Sequence, residues 1–264
     1  MEPNSKKSLF KTVIDAIESF FNDDTTYYAA SLSFFTIFSI LPIIALFIAI
    51  VSSFQEFNNY IDIFTTYLFD IINPTHSEEI VIALKDYISN SNKLGYLGIF
   101  YMLFVFIMFF KDYEYIVNKI HDAKRKSIHI SFLFYSIFLL LLALVFIVFN
   151  IVISLYNNTI LNQILSYIFA WVIFFSLFKL SVNRTIDNKA ALISSLITLI
   201  TLSVTKNLFV YYVIYNKTYT TIYGSLATLL FTFLWIYISW VIYLYGIKIC
   251  HTLNIKSIKK TSLN

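Results

Sequence analysis

From Ser127 to Phe178 the chain carries no Lys, Arg, Asp or Glu. That run is too long for one membrane-crossing helix, which needs about 20 mostly apolar residues to cover a core of about 30 Å. The composition agrees with a membrane chain. Of 264 residues, 59% are hydrophobic and 13% charged, against about 25% charged in ordinary soluble domains. The 28 Phe and 20 Tyr would overfill one soluble core. These features argue against a soluble enzyme and against a nucleic-acid partner. Four Gly and three Pro do not fit collagen-like or Gly/Pro-rich disorder. A single cysteine, Cys250, leaves no intrachain disulfide framework and no Cys-rich metal site.

A polar break, Tyr156-Asn157-Asn158-Thr159 with Asn162 and Gln163, divides the long run into two spans, 130–154 and 161–180. A charge-free stretch from Thr25 to Gln55 holds a first span near 29–53, and Leu94 opens a second at 94–113. Two more fall at 190–212, interrupted by Lys206, and at 224–247. The expected architecture is a single all-α domain, a polytopic bundle of six transmembrane helices. Fifteen of the 19 lysines and arginines fall at the two termini and in the 2–3 and 4–5 loops. Only Lys85, Lys93, Lys206 and Lys217 fall on the other side. By the positive-inside rule both termini lie in the cytoplasm. The first apolar run is longer than a signal-peptide core and lacks a clear small-residue cleavage site, so it reads as a retained helix.

Outside the spans, residues 8–23 place Leu9, Phe10, Val13, Ile14, Ile17, Phe20 and Phe21 on one helical face. That segment reads as an amphipathic helix on the inner leaflet or one packed under the bundle. The 55–93 connection repeats the pattern on both sides of Asn73-Pro74 and is acidic. It is either a helical lid on the outer face or solvated filler. The basic 2–3 loop, with Lys119, Lys124, Arg125 and Lys126, either attracts anionic lipid headgroups or only sets topology. Lys111 and Glu114 form an i,i+3 pair that contributes a few tenths of a kcal/mol, about 0.2–0.5, if exposed.

The chemical signal within the spans is a set of rows of small polar residues. Span 5 carries Ser194, Thr198, Thr201 and Thr205; span 6 carries Ser225, Thr228, Thr232, Trp235 and Ser239. Span 1 carries Ala29, Ser33 and Thr36, then Ser39 one residue off register, then Pro42. The rows of spans 5 and 6 keep a spacing of three or four, and each shares one helix face. Such rows either let helices approach closely or face a common polar path. Candidate path residues are Ser33, Thr36, Pro42, Asn150, Thr198, Thr201 and Thr232. Pro42 frees a backbone carbonyl in mid-span, either as a hinge or as a fixed kink. Asn150 is a buried polar group of the kind that is functional by default in membranes. No P-loop is present, so ATP-driven transport within this chain is not expected. The four histidines are scattered, with none paired at metal-ligand spacing on one helix. No catalytic residue, metal or other cofactor is expected; membrane lipids are the expected partners, and a homo-oligomer stays open.

Residues Tyr27 to Ile43, YYAASLSFFTIFSILPI, resemble the opening signature of the YihY/BrkB family of bacterial inner-membrane proteins, here with Ala30 and Pro42. The closing segment 223–249 is similar too, with Tyr223, Gly224, Trp235 and Gly246, and Asn118 matches a family asparagine. The late Gly-x-Glu of many members reads Gly246-Ile247-Lys248 here. The resemblance implies a multi-pass inner-membrane protein. Members have been linked to serum resistance or described as transporters. An older ribonuclease label has no physical support in these residues. The expected function is passage of a solute or a lipid-linked envelope component. A non-transporting scaffold for envelope assembly is the alternative.

Overall fold

The structure, a computed structural model, describes residues 24–52, 95–154, 159–215 and 225–261, with the single residues Ile63, Thr66, Ile71, Ile82 and Asp86. The expected 8–23 helix and nearly all of the 55–93 segment lie outside the described residues, as do Tyr223 and Gly224. Every long element is a helix: α1 Asp24–Ser52, α2 Gly95–Ile120, α3 Ile128–Ser154, α4 Thr159–Leu180, α5 Asn188–Tyr215 and α6 Ser225–Thr261. Each overlaps one expected span. Among the described residues, α3 to α6 are long and apolar enough to cross a membrane; α1 and α2 contain the other charge-free runs. The largest overruns of the expected spans are at the start of α1 and the ends of α2 and α6. At 37 residues, α6 is about 55 Å long, well beyond a hydrocarbon core of about 30 Å.

Helix α6 is the centre of the bundle, packed most extensively on α5 and α1. In turn, α1 packs on α2, and α4 on α5. Helix α3 sits lightly against α2 and touches α1 and α4 at few points. One apolar cluster joins Leu32, Val117, Phe178, Ala191, Leu244 and Ile247 near the end of the bundle that carries the 121–127 and 181–187 loops. Because lysines and arginines gather there, it is called the basic end below. A smaller cluster, Phe209, Ala227, Phe231 and Trp235, lies on α5 and α6 further away.

The outer surface is apolar. On α5, Ile193, Ile197, Ile200, Val204 and Leu208 are exposed at helical spacing, while Ser194, Ser195 and Thr198 are buried. Lipid accepts such a surface and water does not. The arrangement follows from solvent: with hydrocarbon outside, small polar side chains face inward, where backbones approach and hydroxyls find partners. The approach between α5 and α6 is close. A Cβ at Gly246 would meet Thr198 Oγ1 at 1.9 Å and Phe178 Cζ at 3.1 Å. Only glycine fits this crossing without movement. Gly246→Ala therefore overpacks the interface and should lower stability by about 1–3 kcal/mol. Thermal unfolding in detergent should show the loss, with partial recovery in Gly246→Ala/Thr198→Ala; an unchanged midpoint in the single variant would refute the tight crossing.

Candidate functional site

Chemistry-bearing side chains concentrate at the basic end. The short 181–187 loop between α4 and α5 is held there by two buried asparagines. Asn118, on the last turn of α2, accepts the Asn183 N–H through Oδ1 at 2.7 Å. Its Nδ2 donates to the carbonyls of Ser181 at 3.3 Å and Glu114 at 2.9 Å. Asn254, on α6, accepts the Asp187 N–H at 2.8 Å and donates to the Thr185 carbonyl at 3.3 Å. An amide suits both positions because it donates and accepts together. Asp187 in turn starts α5, its carbonyl accepting the Ala191 N–H at 3.1 Å. Its carboxylate accepts the Ser257 hydroxyl at 2.9 Å. Beneath the loop, Tyr113 OH lies 3.1 Å from Ser181 Oγ and 2.5 Å from Tyr243 OH. Helices α2, α4, α5 and α6 are thus joined at this end by one polar network.

Glu114 is buried, so the condition of exposure for the Lys111–Glu114 spacing is not met. Its carboxylate accepts the Lys126 backbone N–H at 2.8 Å and the Ser131 hydroxyl, fixing the entry of α3. A negative charge is favoured there by the helix dipole. No ion pair joins it to Lys111 among the described residues.

The turn after α2 is a Schellman motif. The Ala123 N–H reaches the Asn118 carbonyl at 2.9 Å and the Asp122 N–H reaches Lys119 at 3.2 Å. Asp122 takes the left-handed position, with φ 50°, where glycine is usual. Its carboxylate lies 3.7 Å from His251 Nε2. His251 stands edge-on to His121, ring centres 5.2 Å apart. Sequence spacing on one helix could not reveal this pair, because it is assembled from the α2 turn and α6. His121 is fully buried, and neither ring nitrogen has a hydrogen-bond partner. Desolvation first, then the charges of His251 and Arg184, lower its pKa from 6.5 to about 4.

The expected path residues are distributed differently. Ser33, Thr198 and Thr232 are buried, Thr36 is half-buried and Thr201 is exposed. Each hydroxyl donates four residues back along its own helix, to Ala29, Ser194, Thr228, Leu32 and Ile197 respectively. Asn150 is buried and donates to Phe146 O at 2.9 Å. Thr36 Oγ1 also accepts the Trp240 N–H at 2.8 Å, linking α1 to α6. Helix α1 continues through Pro42. Among the family positions, Ala30 is exposed, and buried Trp235 donates to the Ile71 carbonyl at 2.9 Å. A pocket of about 210 Å³ lies elsewhere, between α2 and the start of α3. Among the described residues no group of three or more His, Cys, Asp or Glu side chains could hold a metal ion.

These features define an all-α, multi-pass membrane protein built around a polar network at one end. The sequence model of the family described as Virulence factor BrkB matches residues 16–263, and the chain belongs to that family. Two relatives match over most of both chains. A UPF0761 membrane protein of Pseudoalteromonas translucida is 27% identical, matching 91% of this chain and 85% of its own. One from Pseudoalteromonas atlantica is 25% identical over 88% and 82%. A UPF0761 membrane protein of Legionella pneumophila is 27% identical over 46% of this chain, and the match spans 30% of that relative's length. No solved structure matches.

Two outcomes follow from the network. Asn118→Ala strands the Ser181 carbonyl and the Asn183 N–H, and should lower stability by about 1–3 kcal/mol. Asn254→Ala acts on the same loop, so chemical denaturation of the double variant should lose less than the two single losses added together. For His121, the unfolded chain binds a proton below about 6.5 while the folded chain resists one down to about 4. Stability from neutral His121 is therefore complete above pH 6.5 and is lost as pH falls toward 4. His121→Phe should flatten that part of the denaturation-midpoint profile between pH 7.5 and 5.

Proposed function

We propose that this protein is a bacterial inner-membrane carrier for a lipid-linked envelope component, with both termini in the cytoplasm. It has no enzymatic activity and hydrolyses no ATP. The orientation is supported by Lys119, Lys124, Arg125, Lys126, Lys179, Arg184 and Lys189 lying in or beside the two loops of one bundle end. The observation that carries the carrier reading is the uneven packing of the bundle. Helices α5 and α6 are tightly packed, with Thr198 pressed against Gly246, and α1 is bonded to α6 through Thr36 and Trp240. Helix α3 is only lightly attached, and open space lies at its junction with α2. A substrate with an apolar tail can enter sideways from lipid at such a junction, without a water-filled centre.

A membrane scaffold is the second reading. It is favoured by the same Thr198–Gly246 approach, in which one residue of a hydroxyl row serves as a helix interface. Reconstitution separates the two. Vesicles holding the full chain and fluorescent phosphatidylglycerol are treated with an impermeant quencher. Under the carrier reading the inner-leaflet probe becomes quenchable without ATP, several times faster than in protein-free vesicles. Folded protein that leaves the rate at the protein-free value would overturn transport of this lipid class in favour of the scaffold.

A further inference from the structure

The pocket between α2 and α3 has an unusual lining. Ile107 and Phe110 of α2, with Ile128 and Phe132 of α3, form an apolar wall. Lys111, Arg125 and Lys126 stand at its polar side beside Ser127 and Ser131. None of these three cations is paired with a carboxylate among the described residues. Arg125 lies over the Tyr115 ring at 4.8 Å and donates to the Lys111 carbonyl at 3.3 Å. Lys126 lies over the Phe134 ring at 4.6 Å. The only acid in the lining, Glu114, is engaged by the Lys126 N–H and the Ser131 hydroxyl. Its charge offsets one of the three cations and leaves an excess of positive charge.

The pocket also opens at the amino end of α3. The first N–H groups of that helix have no carbonyl in their own helix to bond, and the dipole favours an anion there. A cationic rim, a helix amino end and an apolar wall reaching into the membrane-crossing part of α2 match one kind of ligand: a phosphate joined to a hydrocarbon tail. We propose that this groove binds the phosphate-bearing headgroup of an anionic lipid, with the first part of its acyl chain against Phe110 and Phe132. The proposal narrows the carrier reading to a substrate class and rests on it for the membrane setting. A free phosphate would leave the apolar wall in contact with water, so the lipid is the source assigned.

Native mass spectrometry of the full chain, stripped of lipid and titrated separately with phosphatidylglycerol, phosphatidylcholine and inorganic phosphate, tests it. One phosphatidylglycerol should be retained per chain, in preference to phosphatidylcholine. Inorganic phosphate alone should not be retained. Each removal in the series Lys111→Gln, Arg125→Gln and Lys126→Gln should weaken binding about fivefold, the effect of one basic residue near an anionic headgroup. The control Lys189→Gln/Lys256→Gln removes exposed charge away from the groove and should change nothing. Ile128→Trp narrows the groove while keeping every charge and should weaken phosphatidylglycerol binding as well. Equal retention of the two lipids, equal loss in the control, or retention of inorganic phosphate would each overturn the proposal. Selective binding without lipid movement in the vesicle assay would leave the site standing and remove the carrier reading. Movement without selective binding would do the reverse.

Discussion

Four helices meet at the basic end because two buried amides each satisfy backbone groups of one loop. Asn118 and Asn254 approach the 181–187 segment from α2 and α6, and between them bond the N–H groups of Asn183 and Asp187 and the carbonyls of Ser181 and Thr185. An irregular loop so close to the membrane exposes groups that water serves poorly, and a buried unpaired amide costs about 1–3 kcal/mol. The asparagines remove that cost and set the spacing of the helices that carry them. With that spacing set, Tyr113 reaches both Ser181 and Tyr243, and Asp187 is in place to begin α5. The packing of α6 against α5 then continues through Gly246 and Thr198, along the same side of the bundle.

The same economy governs the hydroxyl rows. A Ser or Thr in a membrane helix can satisfy its proton on the carbonyl four residues back. Ser33, Thr36, Thr198, Thr201 and Thr232 all do so. Such a hydroxyl needs no second helix and no water. It is free to serve as a small packing surface, as Thr198 does, or as an acceptor, as Thr36 does for Trp240. A row of hydroxyls in a sequence is therefore weak evidence for a wet path.

The six helices were legible because absence of charge over about 20 residues has one physical meaning. Their ends were less so. Beyond the membrane the apolar constraint stops, yet α2 runs on to Ile120 and α6 to Thr261, because the network gives those turns partners. The network itself was almost invisible. Its bonds between elements join residues 59 to 130 positions apart, from Asn183 with Lys124 to Tyr113 with Tyr243. Asn118 was noticed through family likeness, and Asn254 not at all, lying inside a basic tail that reads as solvated. One local signal was present. Glu114, Asn118 and His121 follow one another at four and three residues, next to the apolar Tyr113 and Val117. Polar groups on the buried face of a helix end predict partners from elsewhere in the chain.

Glu114 shows how much depends on what a charge is bonded to. Spacing alone pairs it with Lys111, which would neutralise both and leave an uncharged surface. In the fold its oxygens go to Lys126 N–H and Ser131, so it anchors the start of α3 and leaves Lys111 without a carboxylate. One carboxylate thereby does two things: it holds the one helix that the rest of the bundle grips lightly, and it keeps neighbouring cations unpaired around an amphipathic groove. Attachment of α3 and charge in the groove are then coupled through the same side chain. An anion entering the groove would be drawn to the cations and repelled by Glu114, and the helix beside it is the one least constrained by packing. The attachment of α3 to α2 and the charge balance of the groove beside it are thus set by one side chain.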